Sequence, residues 1–352
     1  MAGRAQQRLR GAPAGRAIDG AGSGDGRPGP AARGKFSRAA AVTRSGLSRY
    51  PRQLLDSMRT KHEICDQPAS ACLLDLERLT RSDLAATWLG HATVLLRING
   101  KHILTDPVFS ERIGVRVGTR CLGVSRISPL PVCLDRLPPI DLVLLSHAHF
   151  DHLDRPSLRR LISPETLVVT ARNTARLVPR GFGGVLELDW GHFLDLPGIK
   201  LTSIQPAHWG ARTALDRHRR YNSYLLDASG TGHRVLFGGD TAMTDAFDGL
   251  GPLDLAIFGI GAYEPWDHHH ANPEQVWRMF HGARAERLLP IHHSTFPLGQ
   301  EHRDEPMQRL LAVAGTEQDR IVARNMGEVW AADAPGVGAR RSEEATAGPA
   351  RR

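Results

Sequence analysis

The sequence predicts a layered α/β domain over about residues 84–332. Short apolar runs rich in Val, Leu and Ile recur along this stretch, each bounded by Gly, Asp, Asn or Pro, as in strands. Helical patterns that begin with proline lie among them. Many strands with interspersed helices are typical of sheets covered by helices. With 41% hydrophobic residues in 352, the chain can bury a sizeable core.

The apolar runs predict nine strands in chain order. They cover 85–89, 93–98, 102–105, 142–145, 167–169, 200–204, 221–226, 234–237 and 255–258. Asn99-Gly100, between the second and third runs, is a favourable two-residue hairpin turn. Helices are predicted over 156–162, 273–280 and 306–313, because each of these patterns starts with proline.

The net charge of +8 belongs to the two ends of the chain. Residues 1–46 hold nine basic side chains, two acidic ones and ten glycines, so we expect this segment and residues 334–352 to be disordered. The predicted organisation is a basic tail over 1–46, an extension over 47–83, one folded domain over 84–333 and a second tail. Since the domain itself is nearly neutral, no groove for nucleic acid is expected.

Cysteine usage and hydropathy predict a cytoplasmic protein. The four cysteines form no Cys-x-x-Cys pair, which argues against a zinc ribbon or a redox pair. No apolar run approaches the roughly 20 residues of a membrane-spanning helix, and no apolar stretch follows the first arginines. Membrane contact is therefore limited to weak peripheral attraction of the basic tail to anionic lipid.

One polar cluster directly follows a predicted core strand. The strand over 142–145 leads into His147-x-His149-x-Asp151-His152. His147 and His149 share a face of an extended chain, while Asp151 and His152 can turn toward a second point. Four donors in six residues suit one or two borderline metal ions such as zinc. Solvated surface histidines are the alternative, but they would not explain the preceding core strand.

Further candidate ligands also stand at strand ends. His208, Asp240 and His292 are each the first good metal ligand after an apolar run. Any one of them alone is better explained as a loop residue. Together with the cluster at 147–152 they supply the additional donors that a metal site requires.

These motifs resemble the metallo-β-lactamase superfamily of two-metal hydrolases over about residues 84–332. Further stretches resemble the branch that contains N-acylphosphatidylethanolamine-hydrolysing phospholipase D and its bacterial relatives. They are Trp88-Leu-Gly-His-Ala-Thr93, Thr105-Asp-Pro-Val-Phe109, Gln205-Pro-Ala-His-Trp209, Gly239-Asp-Thr241 and Gly261-Ala-Tyr-Glu-Pro265. The resemblance implies a four-layer αββα sandwich, with the site at the edge of its two sheets.

The resemblance also implies seven ligands for two divalent ions, expected to be Zn²⁺, with Mn²⁺ or Fe as alternatives. The first ion would take His147, His149 and His208, and the second Asp151, His152 and His292, with Asp240 bridging both. Relatives commonly follow the last histidine with Trp-Gly-Thr-Phe, where this chain has His293-Ser294-Thr295-Phe296. This makes His293 a rival to His292, which we prefer.

Three features are interpreted around this centre. Asp106 is predicted to accept a hydrogen bond that orients a ligating histidine, although an aspartate before Pro107 also suits a turn. By the resemblance, His270 is the candidate for substrate contact, whereas His268 and His269 fit a solvated loop equally well, and His91 is assigned no role. The long segment 108–138 is interpreted as a lid or as a charged, solvated loop.

The resulting hypothesis is a dinuclear metal-dependent hydrolase that uses a metal-bridging hydroxide, with Asp151, Asp240 and His270 in catalysis. A phosphodiester, including that of a phospholipid, is the preferred substrate. The alternatives are a lactone or β-lactam hydrolase with the same site, and a non-catalytic binder of small molecules. No Gly-x-Ser-x-Gly elbow or Walker loop occurs, so serine hydrolases and nucleotide triphosphatases have no support. The oligomeric state is left open.

Overall fold

The structure is a computed structural model that describes residues 75–118, 120–212 and 216–332. The predicted tails over 1–46 and 334–352, and residues 47–74 of the extension, lie outside the described residues. The helices are α1 (Leu76–Arg81), α2 (Arg155–Arg160), α3 (Pro273–Gly282) and α4 (Glu305–Ala314).

Fifteen strands are described. In the first half they are β1 (Leu84–Gly90), β2 (Thr93–Ile98), β3 (Lys101–Thr105), β4 (Arg112–Val117), β5 (Arg120–Ser125), β6 (Leu142–Leu145), β7 (Leu167–Ala171) and β8 (Gly184–Leu188). In the second half they are β9 (Phe193–Leu196), β10 (Ile199–Ile204), β11 (Ser223–Ala228), β12 (Arg234–Phe237), β13 (Leu253–Gly259), β14 (Ala285–Ile291) and β15 (Val329–Ala331).

Two mixed sheets contain most of these strands. The first has the order β15-β1-β2-β3-β6-β7-β8, and the second β14-β13-β12-β11-β10-β9. Strands β3, β6, β7 and β8 run parallel, as do β12, β13 and β14. The predicted Asn99-Gly100 turn does join β2 to β3, since Ile98 pairs with Lys101.

Three apolar clusters separate four layers. The central cluster joins the inner faces of both sheets and includes Trp88 and Phe237. On the outer face of the second sheet, α3 and α4 contribute Phe280 and Leu310 to another cluster. On the outer face of the first sheet, α1 and α2 contribute Leu79 and Leu158 to a third. The predicted αββα sandwich is therefore confirmed.

The segment 108–138, which was interpreted as a loop, contains two strands. Strands β4 and β5 form an antiparallel hairpin within it. At the base of the hairpin, Ile113 and Val124 are buried against Phe296, whereas Val115 and Val117 farther out are exposed. The hairpin therefore stands beside the loop that follows His292. Its proposed function as a lid stays a prediction.

The topology brings four strand ends to one edge of the sandwich. Strand β6 lies in the first sheet, while β10, β12 and β14 lie in the second, and the predicted ligands follow the carboxyl ends of these strands. Helices are short throughout the described part of the chain, and none of them has the length and apolar character needed to cross a membrane.

Candidate metal centre

The loop after β6 turns sharply into α2 and is held at both ends. Asp154 caps α2, because its side chain accepts a hydrogen bond from the backbone N–H of Ser157. Arg212 donates to the backbone carbonyls of Ala148 (3.0 Å) and Leu153 (2.9 Å). The loop that carries the four predicted donors is thus fixed by a guanidinium from another part of the chain.

The seven predicted ligands lie together at this edge. They fall into two main groups in which the candidate ligand atoms are within 4.8 Å of one another, and a third, overlapping group joins Asp240 and His292 to His270. One group is His147, His149, His208 and Asp240, and the other is His91, Asp151, His152 and His292. The sequence prediction divided the same seven residues between two ions, with Asp240 shared by both, so His91 is the addition to these two groups.

Asp240 lies between the two groups. In the first, the Nε2 atoms of His147 and His208 lie 3.8 and 3.7 Å from its Oδ2. In the second, His152 Nε2 lies 3.0 Å from Oδ2, and His292 Nε2 lies 3.4 Å from Oδ1. Each oxygen of this carboxylate can therefore reach a ligand of the second group, while Oδ2 also faces the first.

Hydrogen bonds orient three of the imidazoles toward this carboxylate. His147 Nδ1 lies 2.9 Å from Ser146 Oγ, His208 Nδ1 lies 3.0 Å from the carbonyl oxygen of His269, and His152 Nδ1 lies 2.7 Å from Asp106 Oδ2. Because one ring nitrogen is engaged in each case, Nε2 is left directed at the centre, as in metal sites whose ligands are oriented by their neighbours.

The donor set fits a divalent cation. The Nε2 atoms of His152, His208 and His292 and both oxygens of Asp240 are buried and form no hydrogen bond among the described residues. Burying such groups without partners is costly. A cation would satisfy these nitrogen and carboxylate donors, which are the ligand types that zinc takes in proteins. The residues present therefore fit the metal that the resemblance implies.

Electrostatics keep the first group neutral except for Asp240. Burial and the neighbouring histidines hold the pKa values of His147 and His208 well below the ordinary value, and burial lowers the pKa of His149 to about 4. Burial opposes ionisation of Asp240, yet the facing imidazoles of His152 and His292 hold its pKa well below the usual range. Neutral imidazoles and an ionised carboxylate are the forms that bind metals.

The second group carries more charge. Burial acts to lower the pKa values of His152 and His292, but Asp240 and the other carboxylates outweigh it and raise them, to about 9 for His292. The pKa of Asp151 is held well below its usual range, despite burial, by His152 and the other imidazoles around it. Two positively charged imidazoles, His152 and His292, thus face two carboxylates, Asp151 and Asp240.

Asp106 lies directly behind His152. Its carboxylate is fully buried and accepts hydrogen bonds from the backbone N–H of Ser146 (2.7 Å) and from Ser146 Oγ (2.5 Å), besides its contact with His152 Nδ1. The contact with His152 is the one that an orienting aspartate would make, and the role itself stays a prediction.

His91 is the residue that sequence reasoning missed. It occupies the turn between β1 and β2 with a φ of +50°, is 1% exposed, and places Nε2 2.9 Å from Asp151 Oδ2. Its backbone carbonyl also accepts hydrogen bonds from the N–H of His292 (2.9 Å) and from Trp88 Nε1 (2.8 Å). The available signal was the Gly-His-Ala turn after a largely apolar strand.

We expect His91→Leu to weaken divalent metal binding by about 10- to 100-fold, because Asp151 would lose a neighbour that orients its carboxylate. His91→Gln retains a donor and should lose less. Zinc competition against a chromophoric chelator measures both affinities. Equal zinc affinity in the wild type and both variants would show that the contact between His91 and Asp151 has no influence on the centre.

The remaining predicted residues occupy the mouth of the centre or its wall. His270 places Nδ1 3.9 Å from Asp240 Oδ2, and its side chain is 16% exposed, whereas that of Asp240 is 1% exposed. His293 instead stacks on Trp88, with ring centroids 4.4 Å apart, so His292 is the one of the two that faces the carboxylates. The backbone carbonyl oxygen of His269 contacts His208 Nδ1, whereas the side chain of His268 is exposed.

Comparison with known proteins agrees with this geometry. Residues 101–293, more than half of the chain, match the family described as the beta-lactamase superfamily domain. The chain belongs to the metallo-β-lactamase superfamily. Members of this superfamily that resemble it include proteins named as metal-dependent hydrolases, and the histidine and aspartate groups described above can bind metal.

Two relatives and one solved structure illustrate the superfamily. The chain is 33% identical over 279 residues to N-acyl-phosphatidylethanolamine-hydrolyzing phospholipase D 1 of Caenorhabditis elegans, covering 72% of this chain and 77% of that protein. It is 26% identical over 218 residues to a metal-dependent hydrolase of Thermus thermophilus, covering 60% and 84%. The structure of isothiocyanate hydrolase from Delia radicum gut bacteria has a similar fold, with a TM-score of 0.56 at 19% identity, covering 70% and 98%.

Proposed function

We propose that this metallo-β-lactamase superfamily member is a dinuclear, zinc-dependent phosphodiesterase, with a phospholipid-like diester as its substrate. The proposed substrate class rests on the similarity to a phospholipase D from Caenorhabditis elegans, at 33% identity over most of both chains. A dinuclear centre is supported by the two ligand groups and by Asp240, whose Oδ2 faces both groups while its Oδ1 faces His292 of the second.

The side chains of the centre have distinct parts in this proposal. Bound divalent ions would lower the pKa of a water molecule to about 7 and polarise a phosphoryl oxygen. Asp240 and Asp151 supply buried negative charge, and the hydrogen-bonded imidazoles hold their positions. His270 lies at the mouth, where burial lowers its pKa to about 3. As a neutral imidazole it can exchange hydrogen bonds with a substrate oxygen.

The test is metal-dependent turnover on two substrate panels. We expect the protein to be inactive on bis(p-nitrophenyl) phosphate and on N-acylphosphatidylethanolamine after a chelator has removed its metal. Adding Zn²⁺ or Mn²⁺ should restore turnover. Metal analysis should find two ions per active chain. A parallel lactone and β-lactam panel tests the alternative chemistry, since the same metals can polarise a carbonyl.

A fully loaded protein that hydrolyses lactones but no phosphodiester would overturn the proposed substrate class. One ion per chain at full activity would overturn the dinuclear centre. A vesicle assay beside the soluble assay separates a lipid diester from a water-soluble one, because only the lipid substrate requires contact with a surface.

A further inference from the structure

A cavity of about 500 Å³ lies beside the metal centre and is lined mainly by basic and aromatic side chains. Tyr221 connects it to the centre. This residue lines the cavity, and its ring meets that of His208 edge-on, with centroids 6.3 Å apart. On the other side, Trp190 packs against Tyr221 at 5.1 Å and donates from Nε1 to the carbonyl oxygen of Tyr221.

The cavity has more positive charge than its acidic neighbours neutralise. It is lined by four arginines, Arg172, Arg217, Arg219 and Arg220. Two carboxylates compensate part of this charge. Asp189 accepts from Arg172 (2.7 Å) and from the backbone N–H of Trp190 (3.0 Å), and Asp216 accepts from Arg219 (2.6 Å). Glu187 also acts on the charge of Arg172, and the lining still keeps an excess of positive charge.

Arg217 and Arg220 supply that excess. The guanidinium of Arg220 lies 3.9 Å from the ring centroid of Trp190, which fixes its plane, and its Nε is 3.7 Å from the nearer oxygen of Asp189, beyond hydrogen-bond distance. Arg217 is exposed. Among the described residues, neither side chain donates a hydrogen bond to a protein acceptor. Planar guanidinium groups with free donors are suited to bind carboxylates and phosphates.

We propose that this cavity binds an anionic group, a carboxylate or a phosphate, on the non-reacting part of the substrate. The inference rests on the proposed function, which places the reacting diester at the metal centre. Trp190 and Tyr221 would contact the atoms that connect the two groups, since pockets combine aromatic walls with a few placed polar groups. The favoured substrates are therefore phosphodiesters that carry a second negative charge.

The experiment compares KM values on the zinc-loaded, full-length protein. The substrates are bis(p-nitrophenyl) phosphate and two p-nitrophenyl diesters whose second alcohol ends in a carboxylate or in a phosphate. For the Arg217→Ala/Arg220→Ala variant, we expect the KM of the tailed diesters relative to bis(p-nitrophenyl) phosphate to rise about tenfold, as the loss of charge-assisted hydrogen bonds predicts. The tail with the larger rise identifies the preferred anion.

Arg159→Ala/Arg278→Ala, on the exposed faces of α2 and α3, is the matched control and should leave this ratio at the wild-type value. The single variant Arg217→Ala removes a side chain without a described contact, so it tests the cavity if the double variant is unstable, with an expected rise of about threefold. A ratio within twofold of wild type in these cavity variants would overturn the inference.

A binding measurement separates this inference from the proposed function. Calorimetric titration of the same zinc-loaded proteins with inorganic phosphate should show one binding event fewer in the double variant than in the wild type. Identical isotherms would reject the cavity as an anion site. If the wild type cleaves no diester but loses this binding event on substitution, the phosphodiesterase proposal fails while the anion site stands.

Discussion

Asp240→Asn is expected to reduce kcat/KM on a phosphodiester about 1,000-fold and to lower the zinc content to about one ion per chain or less. The amide keeps the shape of the side chain but removes the charge that faces His147, His208, His152 and His292. Since both groups of ligands use this carboxylate, neither retains its full donor set. Metal analysis and steady-state kinetics at saturating zinc measure the two effects.

Asp195→Asn is the matched control, because Asp195 is exposed on β9 of the same sheet. It should bind zinc and turn over substrate as the wild type does. If Asp240→Asn retained two ions per chain and activity within twofold of wild type, Asp240 could not be a shared ligand, and the two groups would have to act independently.

Asp106→Ala is expected to lower the free energy of unfolding by about 3–5 kcal/mol, because it strands buried partners of a carboxylate. Ser146 N, Ser146 Oγ and His152 Nδ1 would each lose their acceptor. Zinc affinity should also fall about 10- to 100-fold, since His152 would no longer be oriented. Chemical denaturation with and without zinc separates the two losses.

Asp141→Asn provides the comparison at the opposite end of β6. Asp141 also accepts hydrogen bonds from a backbone N–H, that of His102, and from a side chain, that of Lys101, but its side chain is 37% exposed. We expect it to cost less than about 1 kcal/mol and to leave zinc affinity unchanged. If Asp106→Ala, like Asp141→Asn, left the zinc affinity unchanged, Asp106 would only support the fold.

Much of the centre could be predicted because its ligands follow buried strands. His147, His208 and Asp240 each stand just beyond an apolar run, and a layered fold brings such strand ends to one edge. The pattern of apolar runs is a local property of the chain. The argument from strand ends depended on the assumption that the sheets pack face to face, which is confirmed, while the division of the ligands between two ions came from the resemblance to the superfamily.

His91 could not be predicted in the same way. Its partner Asp151 is 60 residues away, and a single histidine in a turn has no local feature that distinguishes a contact with a carboxylate from a structural position. The choice between His292 and His293 likewise depended on the fold. His293, in the loop after β14, packs on Trp88 of β1, and these two residues lie far apart along the chain.

The β4–β5 hairpin was missed for a different reason. Ile113, Val115 and Val117 alternate with Arg and Gly, which is the period-2 pattern of a strand. The arginines and prolines around this stretch favoured its interpretation as a loop. Only the inner end of the hairpin packs in an apolar cluster. Strands β8 and β9 are partly exposed at the edges of their sheets, so their apolar signal is also weak.

The distribution of the ligands over both sheets has a consequence for the lifetime of the protein itself. Bound metal would link the loop after β6 in one sheet to the loops after β10, β12 and β14 in the other, and would act as a cross-link at this edge of the sandwich. Ligands that bind only the native state stabilise it by an amount that grows with the logarithm of the free ligand concentration relative to Kd. Metal starvation should therefore shorten the lifetime of this protein under proteolysis, in addition to abolishing its chemistry.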